Sequence, residues 1–364
     1  MNVLINGISS NSAGGKTVIT NLLNEISKED NLQNKYFVVC TETMVKNLNY
    51  TNIELIVFPD YFSTPKYLLF YYFFRLHYTI LKLKIDVLLN LADVLIPTVC
   101  KQIYYFDWAY AVYPESIVWR KMDYKGYVKR KFKVLIIKLF ISRVDKVIVQ
   151  TSVIESRIKS IFKIENVVTA PNSFSFEYLI SGEFKDFNFP KKNYNFLYLT
   201  KYYDHKNFEI ILEFANRINE NGSNFSIIIT IEEADSTRAK QFLELIKKSN
   251  LSCVINIGNV EIRYLGALYK QIDCLLMPSH LESFSGTYLE AIHSNKAILA
   301  SDYDFSRVVC ESYATYFDAF SAEDLFQKAS ELMANDKQNY QIRKLILEKY
   351  EKLNPAKIII ECLK

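Results

Sequence analysis

The sequence predicts an α/β protein of two doubly wound, parallel-sheet domains. Three observations lead there. Short apolar runs alternate with helical patterns along the whole chain. Those runs are continuously apolar instead of alternating, which marks strands covered on both faces. And 364 residues, 50% of them hydrophobic, suffice for two cores at roughly 150 residues per domain.

In chain order, the first half supplies "VLING", "YFVVC", "IELIVF", "VLLNL", "QIYYF", "KVIVQ" and "NVVTA" as strands. The second half supplies "NFLYLT", "FSIIITI", "CVINIG", "CLLMP" and "AILAS". Between them "PNSFSFEYLISGEFKDFNFPKKN" is polar and aromatic, with Pro171, Gly182 and Pro190, and reads as an interdomain linker. The expected division is 1–173 for the first domain, 174–193 for the linker and 194–349 for the second. A C-terminal helix at about 350–364 is expected to pack back on the first domain. No repeat of fixed period appears. Ligands of doubly wound sheets bind at the carboxyl ends of the strands, so two such domains facing across a cleft would hold them there.

Composition excludes several classes. A net charge of +4 is too small to argue for nucleic acid. Cys40, Cys100, Cys253, Cys274, Cys310 and Cys362 form no C-x-x-C pair and read as thiols of a reducing compartment. The 4 histidines are dispersed, which argues against a metal site. The first strand begins so early that no signal peptide is expected before it. The most apolar stretch, "YLLFYYFFRLHYTILKLKIDVLLNL", is cut by Arg75, His77, Lys82 and Lys84 and falls short of ~20 uninterrupted apolar residues. A cytoplasmic protein is expected.

The most informative segment is "DCLLMPSHLESFSGTYLEAI", residues 273–292. A strand ends at Met277-Pro278, a polar loop follows, and a helix begins near Phe284 or Ser285. Backbone N–H groups around Ser285 and Gly286 can receive a diphosphate. Glu290 lies about 6 Å further along the axis, leaning back towards the helix start, where it can accept from ribose hydroxyls. Glu282 precedes the helix, on the side where a sugar would sit. The plain alternative is a surface helix with two solvated carboxylates.

With these features the sequence resembles the retaining sugar-nucleotide glycosyltransferases of family 4, of GT-B fold. The resemblance runs through the glycine pair before "TVITNLL", "DKVIVQTS", "APNSF" and "LTKYYDHKNFEIILEFANRI", and through the long stretch from "GNVEIRYLGALYKQIDCLLMPSHLESFSGTYLEAI" to "YFDAFSAEDL". It implies that Lys201 and Lys206, at the places of an Arg and a Lys in the family, bind the donor diphosphate. Two cations at the end of a strand offset charge that a metal would otherwise cover. It implies catalytic roles for Glu282, Lys206 and Lys201, and donor binding by Glu290, Ser285, Gly286, Phe284 and Thr287, with no metal and no cofactor besides the sugar nucleotide. His280 is open between touching the sugar and packing; Asn172 is expected to fix the junction turn.

The chain departs from the family in places. Phe106-Asp107 stands where a histidine is usual, so that acceptor-side role is vacant or passes to Asp107. Ser285 and Asn295 stand where glycines are usual, and Arg307 near the place of a glutamate.

"NGISSNSAGGKTVITNLL", residues 6–23, ends like a P-loop, but Ser10 stands where the motif needs its first glycine. It reads instead as a wall of the active site. Gly14 and Gly15 would let the backbone approach donor phosphate or acceptor, with Lys16 beside them or facing solvent. On the acceptor side, "WRKMDYKGYVKRKFKVLIIKLFISR" holds nine basic residues and one acidic. It reads either as a solvated helix face or as a strip from Arg120 to Arg143 that docks on anionic lipid.

The function expected is transfer of a sugar from a nucleoside diphosphate sugar, UDP before GDP, to a glycan or lipid-linked glycan in cell-surface polysaccharide synthesis. The enzyme would be cytoplasmic and peripheral on the inner membrane face. The alternatives are a sugar-nucleotide epimerase or phosphorylase on the same fold, and a non-catalytic glycan- or lipid-binding subunit.

Overall fold

A computed structural model of the chain describes all residues except 11–12, 29–33, 46–49, 51–52, 92–93, 173–175 and 335–339. It forms two compact units. Met1–Pro114, Asp123–Ser173 and Leu353–Lys364 make the first; Glu115–Met122 and Phe174–Lys352 make the second.

The first unit holds β1 (Asn2–Asn6), β2 (Lys35–Thr41), β3 (Ile53–Phe58), β4 (Val87–Asn90), β5 (Lys101–Tyr105), β6 (Lys146–Val149) and β7 (Val167–Thr169). Their order is β3-β2-β1-β4-β5-β6-β7, and every pair is parallel. Side chains alternate between faces. Val3, Ile5, Val38 and Cys40 share a core with Ile19 and Leu23 of the helix Ala13–Ser27 and with Ile359 and Leu363 of the helix Pro355–Leu363. Leu4, Phe37, Val39 and Leu88 form a second core with Tyr71, Tyr72, Leu76 and Ile80. The C-terminal helix starts cleanly: Asn354 Oδ1 accepts from the Lys357 N–H, and Pro355 fills the first turn, where no donor is needed.

The second unit holds β8 (Tyr194–Tyr198), β9 (Phe225–Ile229), β10 (Val254–Asn256), β11 (Cys274–Met277), β12 (Ala297–Ser301) and β13 (Thr315–Phe317). The order β10-β9-β8-β11-β12-β13, again parallel throughout, repeats the winding of the first unit. In each sheet the order of strand addition therefore reverses once, at β1/β4 and at β8/β11. All five strands expected in the second half are present. The sixth, β13, has three residues, with Thr315 and Tyr316 only partly buried, so it leaves no continuous apolar run.

A typical covering helix is Phe208–Asn221. Phe208, Ile211, Phe214, Ala215 and Ile218 are buried at helical spacing, and Gly222 ends it in the left-handed conformation at φ 58°.

Two segments sit where the sequence reading did not put them. The stretch read as a linker packs on the second unit: Phe176, Leu179 and Phe189 are buried in its core. Its helical turn Glu177–Ile180 comes so near the helix Leu265–Lys270 that a Cβ on Gly266 would lie 2.4 Å from the Leu179 carbonyl. The basic stretch is divided. Arg120, Lys121 and Met122 belong to the second unit, while the helix Tyr124–Phe140 belongs to the first, so the strip from Arg120 to Arg143 is divided between the units.

All six cysteines are free thiols; five are buried and Cys100 is partly so. Among the described residues, no helix is long and apolar enough to cross a membrane.

Candidate active site

In the second unit the reversal of strand order lies between β8 and β11, and the residues singled out by sequence follow those two strands. After β8, a single 3-10 turn, Asp204–Lys206, leads through Asn207 at φ 52° into the helix Phe208–Asn221. Asparagine tolerates that left-handed backbone better than most residues. After β11, residues 278–285 form the loop before the helix Gly286–His293.

Hydrogen bonds tie the turn and the loop together. The His280 N–H donates to the His205 carbonyl at 2.8 Å. The Tyr198 hydroxyl donates to the Lys206 carbonyl at 2.6 Å and lies 3.5 Å from Ser279 Oγ. Asn207 Nδ2 donates to the Ala319 carbonyl at 2.9 Å.

The central contact joins the two. Lys206 Nζ lies 2.6 Å from Glu282 Oε1, with the side chains 11% and 10% exposed. Burial pushes the Glu282 carboxyl up; the Lys206 ammonium, with His205 and hydrogen bonds from Lys206 and Ser279, outweighs it and holds the group below its ordinary value. Glu282 is therefore a carboxylate at neutral pH, held beside an ammonium.

The helix Gly286–His293 begins one to two residues later than expected, because Ser285 keeps an extended backbone (φ −122°, ψ 120°) as N-cap. The Ser285 hydroxyl makes no capping bond; it lies 2.8 Å from Thr287 Oγ1, which itself donates to the Met277 sulfur at 3.6 Å. The N-terminal N–H groups thus lack a capping side chain. Phe284 is partly buried, its ring 6.0 Å from that of Tyr350.

Glu290 is buried on this helix, and both carboxylate oxygens already accept: Oε1 from the Tyr178 hydroxyl at 2.7 Å, Oε2 from the Tyr269 hydroxyl at 2.9 Å. Burial raises its pKa, and the two tyrosine bonds reduce the rise. Each oxygen keeps a second lone-pair direction for another donor. Lys201 is exposed beyond the end of β8.

The remaining sequence candidates lie in the first unit. Gly14, Gly15 and Lys16 are not in a loop: they form the start of the helix Ala13–Ser27, Gly15 partly buried and Lys16 exposed, while Asn11 and Ser12 lie outside the described residues. Asp107 is partly buried just past β5. Asn172 Oδ1 takes bonds from the Tyr105 hydroxyl at 2.6 Å and from Gln150 Nε2 at 3.2 Å, which anchors the chain after β7.

Of the departures, Asn295 adopts φ 54°, the backbone that makes glycine usual there. Arg307 Nη2 pairs with Asp302 Oδ2 at 2.8 Å. The sequence reading missed Tyr178 and Tyr269 as partners of Glu290, and Lys121, whose Nζ lies 3.1 Å from His280 Nε2. None of the three carries a sequence signal, since each acts through a residue distant along the chain.

Two parallel sheets, with a lysine–glutamate pair and an uncapped helix start at the second strand-order reversal, define a doubly wound α/β class with a candidate anion-binding site. Residues 181–346 match the model of the family Glycosyl transferases group 1. That stretch is similar to the family, and the fold of the whole chain is the GT-B fold of the solved structures that follow. Among solved structures it is similar to sucrose-phosphate synthase from Thermosynechococcus elongatus (13% identity, TM-score 0.73, 100% of this chain and 98% of that one). It is also similar to Anabaena HepE in complex with UDP and glucose (12%, TM-score 0.70, 100% and 99%). A third is WaaG, a glycosyltransferase involved in lipopolysaccharide biosynthesis (12%, TM-score 0.67, 100% and 100%). No curated protein sequence matches the chain.

Proposed function

We propose that the protein is a retaining glycosyltransferase of family 4. It moves a sugar from a nucleoside diphosphate sugar, UDP in preference to GDP, to a hydroxyl of a glycan or lipid-linked glycan, in the assembly of cell-surface polysaccharide. The observation that carries this reading is the buried Lys206–Glu282 pair beside the uncapped start of the helix Gly286–His293. The HepE structure that holds UDP and glucose on the same fold supports it.

In this reading the departing diphosphate is met by Lys206, Lys201 and the N–H groups at Ser285–Gly286, which stabilise charge as it develops. The lysines stand in for a metal. Glu282 orients the sugar and Glu290 the ribose, with Tyr178 and Tyr269 fixing the Glu290 carboxylate. The incoming hydroxyl attacks on the face the diphosphate leaves. A panel of nucleoside diphosphate sugars tests this in thermal melts, since a donor at 100 times its Kd adds ~2.7 kcal/mol. Stabilisation by a UDP-sugar, and transfer unaffected by EDTA, are expected; a panel without any shift would sink the reading.

The acceptor side extends it to the membrane surface on the cytoplasmic face. On the helix Tyr124–Phe140 only Ile137 is fully buried. Tyr124, Val128, Phe132, Leu135 and Leu139 are exposed at helical spacing, flanked by exposed Lys125, Lys129 and Lys138. An apolar stripe with cationic flanks suits the surface of an anionic bilayer. Arg130 and Lys133 do not contribute: they lie over the rings of Tyr110 and Trp108, at 5.0 and 3.9 Å. Lys125, Lys129 and Lys138 changed together to Gln are expected to release the protein from anionic vesicles in sedimentation at low salt, with transfer to a short soluble acceptor unchanged. Equal sedimentation of both proteins would remove the membrane contact.

A further inference from the structure

Eight residues, Glu115–Met122, leave the first unit, pack on the second and return. Val118 and Trp119 are buried in their single helical turn. The Lys121 carbonyl accepts from Arg238 Nη1 and Nη2 at 3.4 Å, and the same guanidinium holds Asp204 at 2.7 Å. Lys121 Nζ then reaches His280 Nε2 at 3.1 Å, Asn207 Oδ1 at 3.4 Å and Glu209 Oε2 at 3.4 Å.

These partners have specific places. Asn207 follows Lys206 directly, and His280 precedes Glu282 by two residues. We propose that Lys121 is a positioning residue of the donor site: its ammonium clamps the turn that carries Lys206 to the loop that carries Glu282. The proposal rests on the reading of that pair as part of a sugar-nucleotide site.

The chemistry of the clamp is asymmetric. An ammonium only donates, so Nε2 of His280 must accept, and the ring proton sits on Nδ1, 3.2 Å from the Tyr303 hydroxyl. The Phe320 ring stacks on the imidazole with centroids 5.0 Å apart. Burial, and then the Lys121 charge, lower the His280 pKa to about 4. The other charged or titratable groups nearby are Tyr303, which Asp318 influences, and the Lys206–Glu282 pair with His205. Glu209 meets Lys121. A neutral His280 leaves Lys206 as the ammonium bonded to Glu282. Protonation would place a cation on the loop that carries Glu282 and release the Lys121 bond.

The test compares Lys121→Met, of similar length and uncharged, with Lys121→Arg, which keeps a cation and its donors. The histidine rings are followed by NMR between pH 4 and 8; with only 4 histidines in the chain, assignment by a His280→Gln control is direct. Wild type and Lys121→Arg should show no His280 titration above pH 5. In Lys121→Met the titration should move upward, the Nδ1–H tautomer should no longer dominate, and sugar transfer should lose kcat roughly tenfold, most at acid pH, with donor KM changed less. Lys121→Arg should recover most of that kcat.

A Lys121→Met protein with wild-type kcat and an unmoved His280 titration overturns the proposal. So does one whose melting point falls while its pH profile and tautomer stay put, which is what simple packing would give. Wild type that turns over no sugar nucleotide would remove the donor-site reading; the ring titration, read without substrate, would still decide whether Lys121 controls His280.

Discussion

Lys206→Ala is expected to lower both stability and turnover. Its ammonium faces a carboxylate with 10% of its side chain exposed, and an uncompensated buried charge costs about 3–5 kcal/mol. The melting point should fall by roughly 2–4 °C per kcal/mol in a domain of this size. The pH dependence follows from the depressed pKa of Glu282. Its contribution is present above the ordinary carboxylate value of 4.5 and is lost as pH falls through the folded value. The gap between wild type and mutant should therefore narrow on acidification, as Glu282 in the mutant takes up a proton. Adding Glu282→Gln should return much of the stability without returning transfer, because in the proposed function the charge for the diphosphate and the carboxylate for the sugar are then both gone. Melts at pH 7 and pH 4.5, with donor kinetics at pH 7, check this. A single mutant with wild-type melting point and turnover would show that the pair matters to neither.

The second large effect comes from a residue with no polar group. Gly266→Ala puts a Cβ 2.4 Å from the Leu179 carbonyl and 3.0 Å from its carbon. Those are backbone atoms, so the helical turn Glu177–Ile180 must move as a whole. Overpacking of this kind costs about 1–3 kcal/mol. Tyr178 is on that turn, and its hydroxyl bonds Glu290 at 2.7 Å. The expected result is a lower melting point together with a raised donor KM. Tyr178→Phe should raise KM with a melting point lowered only by the loss of one bond to the buried Glu290 carboxylate, since the packing is left in place. If Gly266→Ala lowered the melting point but left donor KM alone, Tyr178 would have no part in holding Glu290 for the donor.

How much of this could be read from the sequence depended on where the signal resides. The inner strands announced themselves because a parallel strand buried on both faces must be apolar throughout; the edge strands β3, β7 and β10 kept enough apolar residues to be read, and β13, with Thr315 and Tyr316 partly buried, did not. The helix Gly286–His293 and its loop were legible because strand, proline, glutamate and small residues follow one another within twenty positions. The contacts that make the site were not. Lys206 and Glu282 are 76 residues apart, Tyr178 and Glu290 112, Lys121 and His280 159. Tyr178 was hidden in a stretch whose Pro, Gly and polar residues read as a linker, and Lys121 in a run of lysines where nothing sets one apart. The glycine pair at Gly14–Gly15 misled in the other direction: it reads as a loop, yet lies in the first turn of a helix, where unpaired N–H groups make glycine less costly than in a helix interior.

The excursion of Glu115–Met122 bears on any attempt to recombine this enzyme with a relative. A chimera joined only at the obvious boundary near residue 173 would take most of its second unit from one parent and the segment Glu115–Met122, which belongs to that unit, from the other. Val118, Trp119 and the Lys121 carbonyl would then meet a foreign surface around Arg238, and the Lys206–Glu282 pair would sit under a mismatched strap. A graft with three junctions, at 114, 122 and 173, plus a fourth at 352, keeps each unit with its own chain. In the proposed function, inheritance of donor specificity in such hybrids should follow the small excised piece as well as the large one.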